Sequence, residues 1–468
     1  MTAAGTTPQP HSTHKSRHRP TRTSVRVLVL FLLFAAPLAF GSVHRPAYTV
    51  LLVLIAFIAV LSLRLARQEA APPLPGRNPI LLLHVLVLAQ LIPLPPFLLD
   101  LVSPGSLIFY RAQPNAIRDA WHGITVSPVH TVRGFAFLLG LCLFYGVVFR
   151  DFADRLWGRR LALSVVAVAA LMTIIGFVQK GSGDPGKIYG LYRPMWDYAV
   201  FGPYVNHNHF VGHVVMAVPL ALGFAADAFI RMRKSWGRRA RGWTALGDSA
   251  GAAIFRHLAL AIFTAAGVLA AGSRAGVIAL GVSLLAFPVA FRRRFGAALV
   301  LTATVGAISL AWVDVSWFKQ ALEGRSLHAS RVVFWEDQSR LIPDFLLFGT
   351  GFNAMGPVYR SRQSIDKYYT YDQTHNDYLQ ILIEGGLVGG ASALALLVML
   401  WRTALRGSVE SALGAGLLGA FAATCTSALV DFNWQIPANA LTVVALAGLI
   451  MARERLPGAD VDPDAGPS

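Results

Sequence analysis

The chain has 468 residues, of which 55% are hydrophobic and only 14% are charged. Soluble domains carry about 25% charged residues, so this composition excludes a soluble globular protein and predicts an integral membrane protein. The net charge of +17 would suit nucleic-acid binding, but the Lys and Arg residues lie between apolar segments in a pattern that reflects membrane orientation instead.

Apolar segments recur along nearly the whole chain, and each is long enough to cross roughly 30 Å of hydrocarbon as a helix. A basic segment at residues 1–24, predicted to be a disordered cytoplasmic tail, precedes them. In chain order, the twelve predicted spans are Val25–Gly41, Ala47–Leu63, Pro79–Leu99, Val132–Phe149, Leu161–Val178, Phe210–Ile230, Ile254–Gly272, Ala275–Phe291, Gly296–Trp312, Tyr378–Trp401, Ser411–Leu429 and Ile436–Met451. The sequence therefore predicts an all-α multi-pass membrane protein, with spans 1–9 in residues 25–312 and spans 10–12 in residues 375–452.

The basic residues predict the orientation of these spans. With twelve spans, the basic N-terminal tail and alternate connections, such as the run RMRKSWGRRARGW, lie on one side of the membrane. The positive-inside rule assigns this side to the cytoplasm, together with both chain termini and the C-terminal tail 453–468. The excess charge also suits anionic lipid headgroups. We therefore expect membrane lipids, and no nucleic acid, among the partners.

Four polar clusters fall together on the opposite, extracytoplasmic side. They are the loop Gln179–His209, the turn GSRAG, a large loop at residues 313–374 and the turn VDFNWQIP. Their convergence predicts one site at the outer membrane surface. The cysteines Cys142 and Cys425 lie within predicted spans at no metal-like spacing, so we expect apolar fillers and no metal site there.

His375 is the first candidate for a catalytic role. Thr374, Asn376 and Asp377 can each cap a helix, so a helix start is predicted here, with His375 at its positive end. This position opposes imidazolium formation and favours a neutral ring that can act as a general base. A capping histidine without a chemical role is the alternative. Glu384, nine residues on, is either a functional group or a buried structural partner.

Two arginines are candidates for binding an anion. Arg274 lies in the outer turn GSRAG, where positive-inside statistics disfavour arginine, so an anionic ligand or a carboxylate such as Glu384 would explain it. Arg331 lies one helical turn before Trp335 in SRVVFWEDQ and could be a second phosphate clamp, with Trp335 as a wall of the site or a surface for sugar stacking. An interfacial or solvated arginine is the alternative for each.

The remaining polar candidates surround these positions. The tract YVNHNHFVGH has three histidines, but their spacing does not place them on one helix face and no Cys or carboxylate joins them, so no metal site is predicted. Asn206 and Asn208 suit hydrogen bonding to sugar hydroxyls or phosphate. Asp431 and Asn433 in the last outer turn could act likewise, or could satisfy exposed helix ends.

Five motifs of this chain resemble motifs of the O-antigen ligase and polymerase superfamily and occur in the same order. The pattern H-N-x-x-L-x-x-x-x-E-x-G is filled here by His375, Asn376, Leu379, Glu384 and Gly386. The others are the NHNHF tract, the S-R-A-G turn, R-x-x-x-W followed by G-x-G-F, and D-F-N-x-x-I-P. Each motif alone is weak, but together they cover roughly residues 202–437. The N-terminal third resembles the family only as a series of spans.

The resemblance implies a glycosyltransferase of the GT-C type in the bacterial inner membrane, with a periplasmic active site. Such enzymes transfer a glycan from a polyprenyl pyrophosphate, usually undecaprenyl pyrophosphate, to an acceptor hydroxyl with inversion and without metal or cofactor. By this resemblance Arg274 and Arg331 would bind the pyrophosphate, and His375 would orient or deprotonate the acceptor hydroxyl. The acceptor could be a growing glycan, lipid A-core or another hydroxyl, so ligase and polymerase both stay open.

Two other functions are compatible with the sequence. A twelve-span transporter of an anionic solute could use Arg274 and Glu384, and a non-catalytic component of a polysaccharide export complex would need neither residue. We find no duplicated halves in the sequence, and the polar clusters gather on one face instead of near the midplane. These observations favour the glycosyltransferase.

Overall fold

The computed structural model describes residues 21–66, 72–113, 120–195, 199–239, 249–290, 295–312, 328–365, 368 and 370–455. These residues form helices and connecting segments, with isolated bridges and no named strands among them. The predicted all-α membrane protein is confirmed at this level. Most of the predicted N-terminal tail, the C-terminal residues after Arg455 and the first part of the large loop lie outside the described residues.

The helices of the N-terminal part are α1 Arg22–Leu38, α2 Arg45–Ala66, α3 Arg77–Gln90, α4 Pro96–Val102, α5 Pro104–Arg111, α6 Pro128–Asp151 and α7 Arg155–Lys180. Those of the C-terminal part are α8 His207–Val214, α9 Ala217–Arg239, α10 Ser249–Ala270, α11 Arg274–Ala290, α12 Phe295–Trp312, α13 His328–Ser339, α14 Met355–Arg362, α15 Asp377–Glu410, α16 Ala412–Ala428 and α17 Pro437–Arg453. Short 3-10 turns lie at Phe40–Ser42, Ile342–Phe345 and Asn433–Gln435. Helix α1 begins earlier than predicted, because the Thr21 side chain caps it.

Six helical stretches are long and apolar enough to cross a membrane, in α2, α6, α7, α8–α9, α10 and α15. Helices α3, α11, α16 and α17 are apolar but shorter. The predicted third span, Pro79–Leu99, is wrong in extent, since α3 ends at Gln90 and three prolines before Phe97 interrupt the helix. The total of twelve spans stays a prediction.

Helix α16 lies at the centre of the packing, against α9, α11 and α15. Its sequence ALGAGLLGAFAATCTSA consists mostly of small residues, and nearly all of them are buried. A Cβ on Gly416 would lie 2.7 Å from the Pro219 carbonyl oxygen, and a Cβ on Gly419 would lie 2.7 Å from the Pro219 side chain. The small residues therefore allow close helix approach, which membrane interfaces use in place of a hydrophobic driving force.

Helix α15 is broken at Gly386, which has φ 60° and ψ −159°. Residues 346–351, here called the insert, pass beside this break. The Thr350 N–H donates to the Ile383 carbonyl at 2.9 Å, and the Leu387 N–H donates to the first carbonyl of the insert at 2.8 Å. Because an unpaired backbone group is costly inside a membrane, the insert satisfies groups that an unbroken helix would pair internally.

The contact between the insert and the break depends on two glycines. A Cβ on Gly349 would lie 2.2 Å from the Glu384 carbonyl carbon, and a Cβ on Gly386 would lie 2.5 Å from the Leu347 carbonyl carbon. Both glycines have positive φ, 75° and 60°. No other residue type fits either position without displacing backbone. This contact explains the G-x-G-F and E-x-G motifs as two chain segments that pack against each other at one point.

The described part of the large loop is helical, and α13 confirms the one-turn spacing of Arg331 and Trp335. The carboxylate of Asp337 accepts hydrogen bonds from the Tyr359 hydroxyl, at 2.9 Å, and from Ser364. Burial alone raises the pKa of Asp337, but these hydrogen bonds and the charge of Arg340 hold it below its usual range. A carboxylate that stays ionised thus fastens α13 to the segment after α14.

Candidate active site

His375 sits in a polar turn that the sequence around it builds. Asn376 is the N-cap of α15, and its side chain accepts from the N–H groups of Tyr378 and Leu379 at 3.1 and 3.0 Å. The Thr374 hydroxyl donates to the Asn376 carbonyl at 2.6 Å. These bonds hold His375 in the left-handed region, at φ 52°, which costs a residue with a Cβ about 1 kcal/mol or more. The predicted helix start is confirmed, with His375 one residue before the cap.

The imidazole of His375 is hydrogen-bonded to a buried carboxylate. Its Nδ1 lies 3.1 Å from Oδ1 of Asp431, which is fully buried, while the His375 side chain is 35% exposed. Since a carboxylate only accepts, Nδ1 carries the proton and Nε2 keeps its lone pair when the ring is neutral. The ring is thereby fixed in the tautomer that a general base requires, and its exposed fraction gives a substrate access to it.

Asp431 is held in its ionised form by its surroundings. Burial alone raises the pKa of this carboxyl, but the hydrogen bond from His375 and the electrostatic influence of the neighbouring His209, His375 and Arg331 side chains hold it well below its usual range. Its Oδ1 also accepts the Phe432 N–H at 2.9 Å. The motif D-F-N-x-x-I-P thus supplies the partner of His375, a role that the sequence did not assign to Asp431.

Phe432 packs against both imidazoles near this carboxylate. Its ring packs edge to face against His375, with centroids 4.8 Å apart, and against His209 of α8, with centroids 4.7 Å apart. His209 Nε2 lies 3.9 Å from Oδ1 of Asp431, on the same oxygen that binds His375. The histidine tract of α8 and the motif at His375 therefore meet at one carboxylate.

Helix α13 contacts both chain segments that form this pair. A guanidinium nitrogen of Arg331 donates to the carbonyl of Val430, the residue before Asp431. The indole N–H of Trp335 donates to the Thr374 carbonyl at 2.9 Å. Among the described residues Arg331 forms no ion pair, so its charge near the site is not neutralised by a carboxylate contact. This leaves the guanidinium able to attract an anion.

Arg274 begins helix α11 and is half-buried. Within the described part of the chain it has neither a hydrogen bond nor an ion pair. Gly276, two residues later, packs against Val211 of α8, so the first turn of α11 lies beside the helix that carries His209. The predicted anion site at Arg274 is thus placed next to α8, and no contact joins Arg274 to His375.

The suggested pairing of Arg274 with Glu384 is wrong. The Glu384 carboxylate is buried and accepts from the Asn353 N–H at 2.8 Å, the Met355 N–H at 3.4 Å and the Gln380 side chain at 2.7 Å. Gln380 also accepts the Thr374 N–H at 2.7 Å. Protein donors therefore satisfy Glu384, and through Gln380 it supports the turn that carries His375.

Two other candidates, Asn206 and Asn433, have protein partners for their side chains. Asn206 caps α8, its side chain accepting from the Asn208 N–H at 2.8 Å. Asn433 is buried and accepts from the Asn439 side chain at 3.1 Å. Asn208 is half-buried. The amides of Asn206 and Asn433 thus fix the backbone around the site in addition to any contact with a ligand.

Asp377 is a structural residue that the sequence analysis considered only as a cap. It is buried, and its carboxylate accepts from the Trp434 N–H at 2.9 Å and from the Gln435 side chain at 3.3 Å. These bonds join the start of α15 to the turn that carries Asp431. The signal for this role was the polarity of the VDFNWQIP turn, but nothing in the sequence pairs that turn with Asp377.

The described residues contain no group of three His, Cys, Asp or Glu side chains arranged to hold a metal ion. What they bring together is an oriented imidazole, a buried carboxylate and an unpaired guanidinium. This set can accept a proton and attract an anionic group. Both abilities suit transfer of a group away from a phosphate.

Comparison with known proteins supports the motif analysis. Residues 259–394 match the family model described as O-antigen ligase. No curated protein gives a significant match. The matched range contains Arg274, Arg331 and His375 but ends before Asp431. The resemblance to the O-antigen ligase superfamily is confirmed over residues 259–394 of this membrane protein, which match the family model.

Proposed function

We propose that this protein is an inverting membrane glycosyltransferase that moves a glycan from a polyprenyl pyrophosphate, such as undecaprenyl pyrophosphate, to an acceptor hydroxyl. Membership of its central region in the O-antigen ligase family supports a role in membrane glycan transfer. The observation that carries the proposal is the hydrogen bond between His375 and Asp431, whose Nδ1 and Oδ1 atoms are 3.1 Å apart. Arg331 lies beside this pair, because it binds the carbonyl of Val430, the residue before Asp431. The protein acts as an O-antigen ligase or as an O-antigen or exopolysaccharide polymerase.

In the proposed step His375 is the general base. Its Nε2 takes the proton of the acceptor hydroxyl as the acceptor oxygen forms a bond to the anomeric carbon of the donor glycan. The bond between that carbon and the pyrophosphate oxygen breaks on the opposite side, which inverts the configuration, and its electron pair leaves with the lipid pyrophosphate. Asp431 stabilises the imidazolium that forms, as a buried carboxylate does for a catalytic histidine.

The two arginines stabilise the leaving group. Negative charge grows on the pyrophosphate as the bond breaks, and guanidinium groups can bind its oxygens through parallel hydrogen bonds. Among the described residues neither Arg274 nor Arg331 has an acidic partner that would compete for it. The arginines thereby take the part that a divalent cation has in other transferases, so the reaction needs no metal.

The same proposal assigns places to the rest of the chain. Spans in residues 25–312 and 375–452 lie in the bacterial inner membrane with both termini in the cytoplasm, and residues 313–374 form the periplasmic loop. Trp335 borders the glycan. Five further residues bind the substrates or hold the backbone around the site: Asn206, Asn208, Asn376, Glu384 and Asn433. The partners are the lipid-linked glycan, the acceptor and membrane lipids.

The test compares a deletion strain carrying the wild-type gene with one carrying His375→Ala at equal membrane levels, by surface-glycan and lipid-linked-glycan profiles. We expect His375→Ala to fail to restore the surface glycan. Long polyprenol-linked chains would then indicate a ligase, and single polyprenol-linked repeats a polymerase. Normal glycan with His375→Ala would overturn the proposal in favour of an anionic-solute transporter or a non-catalytic export component.

A further inference from the structure

His209 is a buried histidine whose side chain has no assigned partner. It is 5% exposed, and within the described residues neither ring nitrogen forms a hydrogen bond. The second oxygen of Asp431, Oδ2, is likewise buried and without a hydrogen bond there. Leaving a buried polar group unpaired costs about 1–3 kcal/mol. A buried imidazole with two unpaired nitrogens, close to a buried carboxylate, indicates that the two side chains can form a direct hydrogen bond.

The geometry identifies the contact. His209 Nε2 is 3.9 Å from Oδ1 of Asp431, roughly 1 Å beyond a hydrogen bond, whereas His375 Nδ1 is already bonded to the same oxygen at 3.1 Å. The Phe432 ring lies edge to face against both imidazoles. A small rotation of the His209 imidazole or of the Asp431 carboxylate would therefore bring Nε2 within hydrogen-bond distance of Oδ1, the oxygen that His375 already contacts.

The backbone of His209 is fixed in place for this role. Its carbonyl accepts a hydrogen bond from the Asn439 side-chain amide at 2.9 Å. Asn206 caps helix α8, in which His209 is the third residue. The Asn439 amide is bonded in turn to Tyr204, at 2.8 Å. Since the helix cannot shift easily, movement at this site is confined to the two imidazoles and the carboxylate.

We propose that His209 is a positioning residue of the transfer site, which donates its Nε2–H to Asp431 and so holds the carboxylate against His375. This inference rests on the proposed transfer reaction. When His375 takes the acceptor proton, the carboxylate must stay beside the imidazolium. A second side-chain donor to Oδ1 restrains the carboxylate from rotating away from the imidazolium. His209 itself touches no substrate.

Other charged groups around the carboxylate do not duplicate this role. Arg331 of α13 binds the carbonyl before Asp431 instead of its side chain. Asp377 of α15 and His207 of α8 affect Asp431 only through their charges. His375 and His209 are thus the two imidazoles placed to restrain the carboxylate directly, both at Oδ1.

The experiment places His209→Gln and His209→Leu in the deletion strain at equal membrane levels and follows the rate at which surface glycan appears after induction. The amide nitrogen of Gln reaches the position of Nε2, whereas Leu fills the space without a donor. We expect Gln to retain at least a third of the wild-type rate and Leu to lose about tenfold or more, as misplaced catalytic groups do. His257→Leu is the matched control, because His257 is another buried histidine with an unpaired nitrogen, packed on Phe224.

A second measurement is independent of the reaction. Thermal unfolding of the purified protein in detergent is compared for His209→Leu, Asp431→Asn and the double variant. We expect the loss in midpoint from His209→Leu to shrink by at least half in the Asp431→Asn background, since the two residues act through one contact. Additive losses, a full rate with His209→Leu, or equal failure of Gln and Leu would each overturn the proposal. Failure of the transfer reaction itself would instead appear as normal glycan with His375→Ala.

Discussion

Trp335 donates its indole N–H to the carbonyl of Thr374 at 2.9 Å, and so ties helix α13 to the residue before His375. Arg331, one turn earlier on the same helix, binds the carbonyl before Asp431. The R-x-x-x-W motif therefore bridges the two chain segments that form the imidazole–carboxylate pair. This arrangement gives Arg331 two separable functions, a backbone contact and a charge.

Substitution at Arg331 separates these functions. Arg331→Gln keeps a donor for the Val430 carbonyl but removes the charge, so we expect the rate of surface-glycan formation to fall about 10²-fold. Arg331→Lys keeps the charge but lacks the planar guanidinium that can form two parallel hydrogen bonds, so we expect the rate to fall only about tenfold. Arg360→Gln, at a 63% exposed position on α14, is the control and should match the wild type. Equal rates for Gln and Lys would show that the charge is irrelevant.

Asp431→Asn tests the tautomer of His375. The amide would donate to Nδ1, which places the ring proton on Nε2 and abolishes its ability to accept one, so transfer should fall about 10²-fold or more. The rate is measured in the deletion strain at matched membrane levels. Asp372→Asn, at a side chain that is 69% exposed, is the control. Wild-type transfer by Asp431→Asn would remove the carboxylate from the mechanism.

Glu384→Gln distinguishes a structural role from a substrate contact. Three protein donors point at the Glu384 carboxylate, so an amide there leaves at least one of them facing another donor. We expect a loss of stability of about 2 kcal/mol, seen as a lower midpoint of thermal unfolding in detergent. The rate per molecule of protein in the membrane should change less than threefold. A large loss of rate with unchanged stability would instead indicate substrate binding.

Gly386→Ala tests the broken helix. At φ 60° and ψ −159° a Cβ would approach the Leu347 carbonyl carbon to 2.5 Å, so the insert must move. We expect a loss of about 3 kcal/mol and little protein in the membrane. Gly390→Ala, one turn further on, is the control because its Cβ would meet only the end of Leu382 at 3.4 Å. Equal accumulation of the two variants would contradict the described contact.

Removal of divalent cations should leave transfer unchanged. If Arg274 and Arg331 neutralise the pyrophosphate, inner-membrane vesicles that contain donor and acceptor should form product within twofold of the normal rate in excess chelator. Vesicles made from Arg331→Gln cells provide the baseline without transfer. A loss of product that magnesium restores would contradict the role proposed for the arginines.

The helical membrane fold and the main motifs could be predicted from the sequence, because the length of an apolar segment and the capping of a helix depend only on residues that are close together in the chain. The capped turn at Thr374–Asp377 and the helix with Arg331 and Trp335 are confirmed for this reason. The partner of His375 lies 56 positions away, at Asp431, and no pattern of one chain reveals such a pairing. Gly386 is part of a motif, but the predicted span Tyr378–Trp401 runs through it unbroken, since hydrophobicity does not record the backbone angle.

The break at Gly386 allows the lower part of helix α15 to change its tilt in the bilayer without moving the site at the start of the helix. A helix whose apolar length differs from the local hydrocarbon thickness responds by tilting. The two turns before Gly386 are bonded to the insert and to Asn353 and Met355, and the N–H groups of Leu387 and Val388 just after it are bonded to the insert as well, so a change of tilt falls on the rest of the helix, residues 389–410. We expect thick and thin lipid bilayers to change the inclination of the lower segment but leave the His375–Asp431 distance constant, which distance measurements between spin labels on the two loops can check.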